Sequence, residues 1–302
     1  MVEVKYLSRL GNNLFQYCFG RIITEGLGYK LKADPIPGFP NTNVKVDGCD
    51  YSSGYPIQVI AQDYPEWYDG DYSQVFSWRN KNLSLDSVLK DNSKRKIIIE
   101  GYFQRYEYYK KYKDIIKKDW LALDPSTKKE NQNSNDIIVC VRRTDYIRTG
   151  NALPFSYYRE ALNMEKHDRV FILSDDANDP FINLFKKYNA VVYKESNPLE
   201  QFRFIMSFNK IIISTSTFYW WASFLSNAQE IYYPLPLQGF WSKKTPEIDL
   251  RVNDEKRYIY INCKEIYKRS LTEKIIRCRR TIQNMKKHCC ESFNINGQYN
   301  DY

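Results

Sequence analysis

The run Ile137-Ile138-Val139-Cys140-Val141-Arg142-Arg143-Thr144-Asp145 delivers two adjacent arginines and a carboxylate to the end of an apolar stretch. Residues 136–141 are short, apolar and rich in β-branched side chains, which predicts a parallel strand buried on both faces. Ligands of open α/β sheets bind beyond the carboxyl ends of such strands. A guanidinium at that place can grip phosphate oxygens in pairs. An Arg-Arg pair neutralised by acids in a solvated loop would use the same residues, so the neighbouring strand ends must decide.

Two of those ends are also polar. Ser174-Asp175-Asp176 follows the apolar run 170–173, and Ser214-Thr215-Ser216-Thr217 precedes a helix opening with Phe218-Tyr219-Trp220-Trp221. Hydroxyls and unpaired amides at a helix N-terminus hold anions, although Ser and Thr there are also ordinary caps. Asp175 and Asp176 together can hold Mg²⁺ or Mn²⁺ beside a diphosphate. Arginines that neutralise the phosphates lessen that need, and one Asp can instead accept from ribose hydroxyls or guanine N–H groups. Asp176 as a helix cap is the plainer alternative. Near the start, Gly11-Asn12-Asn13 lies between a strand and a helix, where glycine permits close backbone approach. Neither GxGxxG nor GxxxxGK[ST] occurs, so dinucleotide and P-loop chemistry have no support.

The elements that must position these residues alternate regularly. Strands are predicted at 137–141, 170–173, 190–193, 210–214 and 230–233, the last stopped by Pro234. Helices at 156–165, 178–188, 198–208 and 217–225 separate them, giving an α/β fold with a doubly wound parallel sheet. The first half opens with a strand over 2–6 and a helix over 14–25 closed by Gly26. A strand over 96–100 runs into Gly101-Tyr102-Phe103-Gln104, while residues 34–80 read as loops and short pieces. The polar run 124–135 reads as a linker. Three regions are therefore expected: an α/β domain (1–130), a doubly wound α/β domain (136–248) and a basic helical appendage (249–302).

The formal charge of +9 falls to +2 without residues 264–287, which carry nine Lys or Arg against two Glu. The basic character is regional, and no nucleic-acid partner is expected. That segment either packs through Ile266, Ile275, Ile282 and Met285 or makes peripheral contact with an anionic membrane. Seven scattered cysteines without a CxxC pair, and two histidines, point to a reducing, cytoplasmic setting and to no metal site. Lys287-His288-Cys289-Cys290 reads as tail. The opening residues read as a strand rather than a signal peptide, and no apolar run is long enough to span a bilayer.

Taken together, four segments resemble the α-1,2-fucosyltransferase family. Ser8-Arg9-Leu10-Gly11-Asn12-Asn13-Leu14-Phe15-Gln16-Tyr17-Cys18-Phe19-Gly20 is similar to its G-R-L-G-N-Q-L-F-Q-Y-A-x-G motif. Gly101-Tyr102-Phe103-Gln104 matches G-Y-F-Q, and Cys140-Val141-Arg142-Arg143-Thr144-Asp145 is similar to H-x-R-R-x-D. Ser214-Thr215-Ser216-Thr217-Phe218-Tyr219-Trp220-Trp221 resembles S-x-S-[ST]-F-x-W-W.

The resemblance implies two facing Rossmann-like domains in the GT-B arrangement, the first (1–130) on the acceptor side and the second (136–248) binding the nucleotide sugar. It also implies GDP-fucose as donor substrate, a glycan acceptor, and inverting transfer of L-fucose to a hydroxyl, by family habit a 2-OH, with no cofactor or metal. Arg142 would hold the β-phosphate, and Arg143 would be a second donor contact or a structural pair. Gly11 and Asn12 would approach from the opposite domain. Asp175 or Asp176 would meet ribose or base, and Ser216, Thr217 and Phe218 would line the nucleotide pocket. Asp145 would be the catalytic base or would orient Arg142. Cys140 stands where the motif has histidine, Ser8 where it has glycine and Asn13 where it has glutamine. The changed thiol position leaves other GDP-sugars, such as GDP-rhamnose, open as donors. A metal-dependent transferase and a non-catalytic glycan-binding homologue are further alternatives.

Overall fold

The computed structural model describes residues 1–60, 84–123, 134–245, 248–268 and 275. Most of the expected linker over 124–135, the loop region 61–80 and nearly all of the basic helix beyond 268 lie outside the described residues.

The first sheet is built from β1 (Val2–Val4), β2 (Leu31–Lys32), β3 (Ile57–Ile60) and β4 (Lys96–Ile99), all parallel in the order β2-β1-β4-β3. Helix α1 (Leu10–Leu27) follows β1, burying Leu14, Phe15, Tyr17, Phe19, Ile22 and Ile23. It starts earlier than expected, so Gly11 and Asn12 belong to its first turn. It also runs past Gly26 and ends at Gly28, whose φ of 65° lets its N–H close onto Glu25 and Thr24. Gly26 is there for packing instead, since a Cβ would lie 2.6 Å from a Leu89 methyl. Three short helices complete this half: α2 (Leu85–Lys90), α3 (Tyr106–Tyr109) and α4 (Lys113–Ile115).

The second sheet contains β5 (Ile137–Val141), β6 (Val170–Ser174), β7 (Val191–Val192), β8 (Lys210–Ile212), β9 (Glu230–Leu235) and β10 (Tyr258–Asn262). Every strand pairs parallel, in the order β10-β9-β8-β5-β6-β7. All five residues of β5 are buried, as its apolar run requires. The connecting helices are α5 (Thr144–Thr149), α6 (Phe155–Met164), α7 (Pro198–Met206) and α8 (Thr217–Leu225). The helix expected over 178–188 forms as a 3₁₀ segment, Pro180–Tyr188, capped by Asp179.

Two boundaries differ from expectation. Strand β9 continues through Pro234, because the missing N–H would face β8, whose pairing has already ended at Ile212 opposite Tyr232. On the other side Pro234 still sits opposite Ile261 of β10. The appendage expected from 249 is likewise not separate there. Asp249 bridges to Arg105, and 258–262 is the edge strand of the second sheet.

A single apolar core runs from the first sheet across α1 and α8 to one face of the second sheet. The Phe15 ring meets Trp220 at 5.1 Å and Trp221 at 4.7 Å, and the Trp220 indole donates to the Leu250 carbonyl (2.8 Å). A smaller core, with Tyr157, Tyr158, Phe181 and Phe185, covers the opposite face.

Candidate active site

The second sheet reverses its strand order once, between β5 and β8, and ligands of open parallel sheets bind at such reversals. The loops leaving β5 and β8 carry Arg142–Asp145 and Ser214–Thr217. In the first sheet the central neighbours are β1 and β4. The loops leaving these strands carry Ser8–Asn13 and Gly101–Gln104. All four motifs thus lie at two crevices, and the crevices abut. A Cβ added to Gly11 would lie 2.5 Å from the Phe218 nitrogen and 2.7 Å from the Thr217 hydroxyl. Only a glycine lets the first turn of α1 press against the first turn of α8.

Within this junction Asn12 accepts a hydrogen bond from Gln104 (3.3 Å), tying the two loops of the first sheet together. Gln16 is fully buried, accepting from the Leu7 amide (3.0 Å) and donating to the Gly101 carbonyl (2.6 Å). Ser8, where the resembled motif has glycine, holds a left-handed φ of 71°.

Arg142 and Arg143 take opposite directions, as neighbours leaving a strand do. Arg142 stays on the α8 side, donating to Asp145 (2.8 Å), pairing with Asp175 (3.3 Å) and lying 5.4 Å over the Tyr146 ring. Burial works against its charge, but Asp175 and Asp145 outweigh it and raise its pKa further. Arg143 turns into the other core, with 1% of its side chain exposed. Its guanidinium lies 4.1 Å from the Phe181 ring centre and 4.5 Å from that of Tyr267, donates to the Tyr267 hydroxyl (2.8 Å) and pairs with Asp179 (3.4 Å). The expectation of a second donor contact at Arg143 is corrected: packing on the far face makes it the structural pair.

Asp175 is not an open ligand either. It accepts from the amides of Arg143 (2.7 Å) and Thr144 (3.1 Å) and from the Thr144 hydroxyl, besides pairing with Arg142. It therefore anchors the start of α5, which has no cap of its own. Asp176 is partly exposed and accepts from the Asn178 amide (3.0 Å), forming a local turn. The cap of the following segment is Asp179, which accepts from Phe181 (2.9 Å). Asp145, 41% exposed, also accepts from the Thr144 hydroxyl (3.1 Å). Burial would raise its pKa, but the Arg142 charge and the Thr144 hydrogen bond hold it below the usual carboxylate value.

Ser216 caps α8 by position without a side-chain bond, and the Ser214 hydroxyl is buried with no hydrogen-bond partner among the described residues. Thr217 and Phe218 are half-buried, Phe218 edge-on to Phe202 at 5.3 Å. Cys140 is fully buried and points into the large core, where burial pushes its thiol pKa well up. A thiol with no exposed surface offers a nucleotide nothing to touch.

The sequence reading assigned no role to Arg9, Gln104 or Tyr146. Arg9 sits at the N-cap of α1, is exposed, and has no ion pair among the described residues. Its charge reaches the Tyr146 hydroxyl across the junction. Its position immediately before the Gly11 turn was the available signal.

Two helix N-termini, each worth about half a positive charge, thus meet beside Arg9 and Arg142. Loop motifs of two parallel sheets that converge at one junction, at the switch point of the second, fit an α/β glycosyltransferase. The family model for glycosyl transferase family 11 matches residues 53–244, more than half of the sequence, and the chain belongs to that family, the fucosyltransferase family its motifs resemble. The match begins after the first motif, whose likeness rests on residues 8–20 alone. A comparison with curated proteins returned no match. No helix among the described residues is long and apolar enough to cross a membrane.

Proposed function

We propose that this protein transfers L-fucose from GDP-fucose to a glycan hydroxyl, with inversion and without a metal, in a GT-B-like arrangement. The observation that carries the reading is the abutment of the α1 and α8 N-termini beside Arg9 and Arg142. Like partial charges brought this close repel each other, and a diphosphate lying beside the junction, across both N-termini, would relieve the repulsion.

In this reading residues 1–130 face the acceptor and the second sheet holds the nucleotide. Arg142 hydrogen-bonds the β-phosphate and meets the charge that develops there as the glycosidic C–O bond breaks. Arg9 supplies a second cation from the opposite side, where Gly11 and Asn12 line the approach. The Ser216, Thr217 and Phe218 turn borders the nucleotide, and Asp176 is the carboxylate left to meet ribose or base. Asp175 and Asp145 act as positioning residues that aim Arg142. The four donors gathered on Asp175 also make it a poor metal ligand. Burial of Cys140 favours GDP-fucose over an altered donor.

GDP release from GDP-fucose, with and without EDTA, over galactose-, xylose- and rhamnose-terminated acceptors tests this. Turnover that survives EDTA and disappears in Arg142→Ala is expected. Turnover lost to EDTA and restored by Mg²⁺ would replace the mechanism with a metal-dependent one. GDP-rhamnose outperforming GDP-fucose would overturn the donor assignment.

A further inference from the structure

The loop that follows β9 turns two apolar side chains outward. Leu237 is 49% exposed and Phe240 38%. They stand at the rim of the crevice, where the Phe240 ring meets Tyr146 at 5.9 Å and Tyr146 lies beneath Arg142. Single exposed apolar residues are ordinary, whereas a pair held on an ordered loop marks a contact surface. The order is built in. The Phe240 amide donates to the Asn151 side chain (2.7 Å), and the hydroxyls of Ser242 and Thr245 both donate to the Gly239 carbonyl (2.7 Å each). Trp241 adopts a left-handed φ of 65° and is buried, stacked on Tyr233 at 4.9 Å. With Trp241 anchored inward, its neighbour Phe240 is left toward solvent.

The charge around the pair has one sign. Residues 235–245 contain Lys243 and Lys244 and no acid. Both lysines are exposed, as is Arg148 in the last turn of α5. That helix ends against the same loop, since a Cβ on Gly150 would lie 3.9 Å from the Gln238 amide nitrogen. None of the three cations makes an ion pair among the described residues. The acids on either side are engaged, Asp145 by Arg142 (2.8 Å) and Asp249 by Arg251 (2.6 Å). An anionic bilayer accepts both parts of such a surface at once. Apolar side chains enter the boundary of headgroups and acyl chains, and the cations meet lipid phosphates.

We propose that the 236–245 loop docks this protein on an anionic membrane surface, with Leu237 and Phe240 in the interface and Arg148, Lys243 and Lys244 on the headgroups. The docking does not depend on the glycosyltransferase reading. Together the two place the crevice beside the membrane, within reach of a glycan carried on lipid.

The test is co-sedimentation of the full chain with vesicles of phosphatidylcholine alone, or of two parts phosphatidylcholine to one part phosphatidylglycerol. Wild type should sediment with the mixed vesicles and stay in solution with the neutral ones. Leu237→Ser with Phe240→Ser should weaken partitioning about tenfold, as loss of two half-exposed apolar side chains would. Leu237→Ser alone leaves the Phe240–Tyr146 contact in place and should cost about threefold. Lys243→Gln and Lys244→Gln should each cost about fivefold, the worth of one cation at a charged surface. Melting temperature and GDP affinity, read alongside, should stay at wild-type values in Leu237→Ser and the lysine variants. Undiminished sedimentation of these variants would assign any membrane contact to another part of the chain, such as the basic run 264–287, and overturn the proposal. Equal sedimentation with neutral vesicles, or none by wild type, would overturn it as well.

Discussion

Arg142 and Arg143 are adjacent in sequence and serve opposite faces of one sheet. Arg142 lies at the crevice between β5 and β8, aimed by Asp145 and Asp175 and close to the α1 and α8 N-termini. Arg143 is sealed between Phe181 and Tyr267, with Asp179 as its counter-charge. A buried cation paired in this way is costly to disturb and chemically out of reach. The difference teaches that a motif can carry one residue for chemistry and the next for holding the loop that presents it. Asp175 joins the two roles, because it takes the backbone amide of Arg143 and the guanidinium of Arg142.

The contrast can be broken most sharply at Arg142. Arg142→Ala should lower kcat by about a thousandfold, as removal of a charge-stabilising donor does, with its melting temperature near wild type. Steady-state GDP release and a thermal melt check both halves of that statement. Arg143→Ala should do the reverse, costing roughly 3 kcal/mol of stability while each folded molecule keeps its turnover; denaturant titration beside active-site-normalised kinetics would show it.

Gly11→Ala bears on the junction. Its Cβ would meet backbone atoms of Thr217 and Phe218, so about 1–3 kcal/mol of overpacking strain and weaker donor binding should appear together. Unchanged stability would mean that α1 and α8 do not press together as described.

Asp145→Asn separates aiming from proton abstraction. As a positioning residue it should cost about tenfold, near one hydrogen bond, whereas loss of a general base costs a hundredfold or more. Its carboxyl is held below the ordinary value of 3.8. Its ion pair is therefore intact above that pH and is lost only as pH falls through the depressed value. No limb of the pH–rate profile near neutrality should move in the variant.

The smallest effect is expected at Ser8. Ser8→Gly removes a left-handed side chain at φ 71° and should stabilise by about 1 kcal/mol, read as a raised melting temperature.

Much of this was open to view in the chain. The buried run of β5, the polar strand ends and the βα alternation fixed the second sheet's class, because apolar period and turn chemistry are local signals. Strand alternation also held an unused clue. Arg142 and Cys140 share one face while Arg143 takes the other, so only one arginine could face the crevice and the thiol had to enter the core. Other features depend on distant partners. Asp175 reaches the start of α5 across 32 positions, which no local pattern reveals. Pro234 is tolerated in β9 only because β8 stops short of it. Strand β10 follows an irregular stretch and gains its place by pairing with β9. Gly11 announces close approach, but what it approaches is set by how α1 and α8 pack.

Calorimetric titration of GDP into wild type, Arg142→Ala and Arg143→Ala tests the division of labour most directly. Loss of the phosphate contact in Arg142→Ala should weaken GDP by about tenfold or more, with Arg143→Ala binding as wild type does at a temperature where it is folded. Equal weakening in both, or none in Arg142→Ala, would contradict the assignment of one arginine to the donor and the other to the fold.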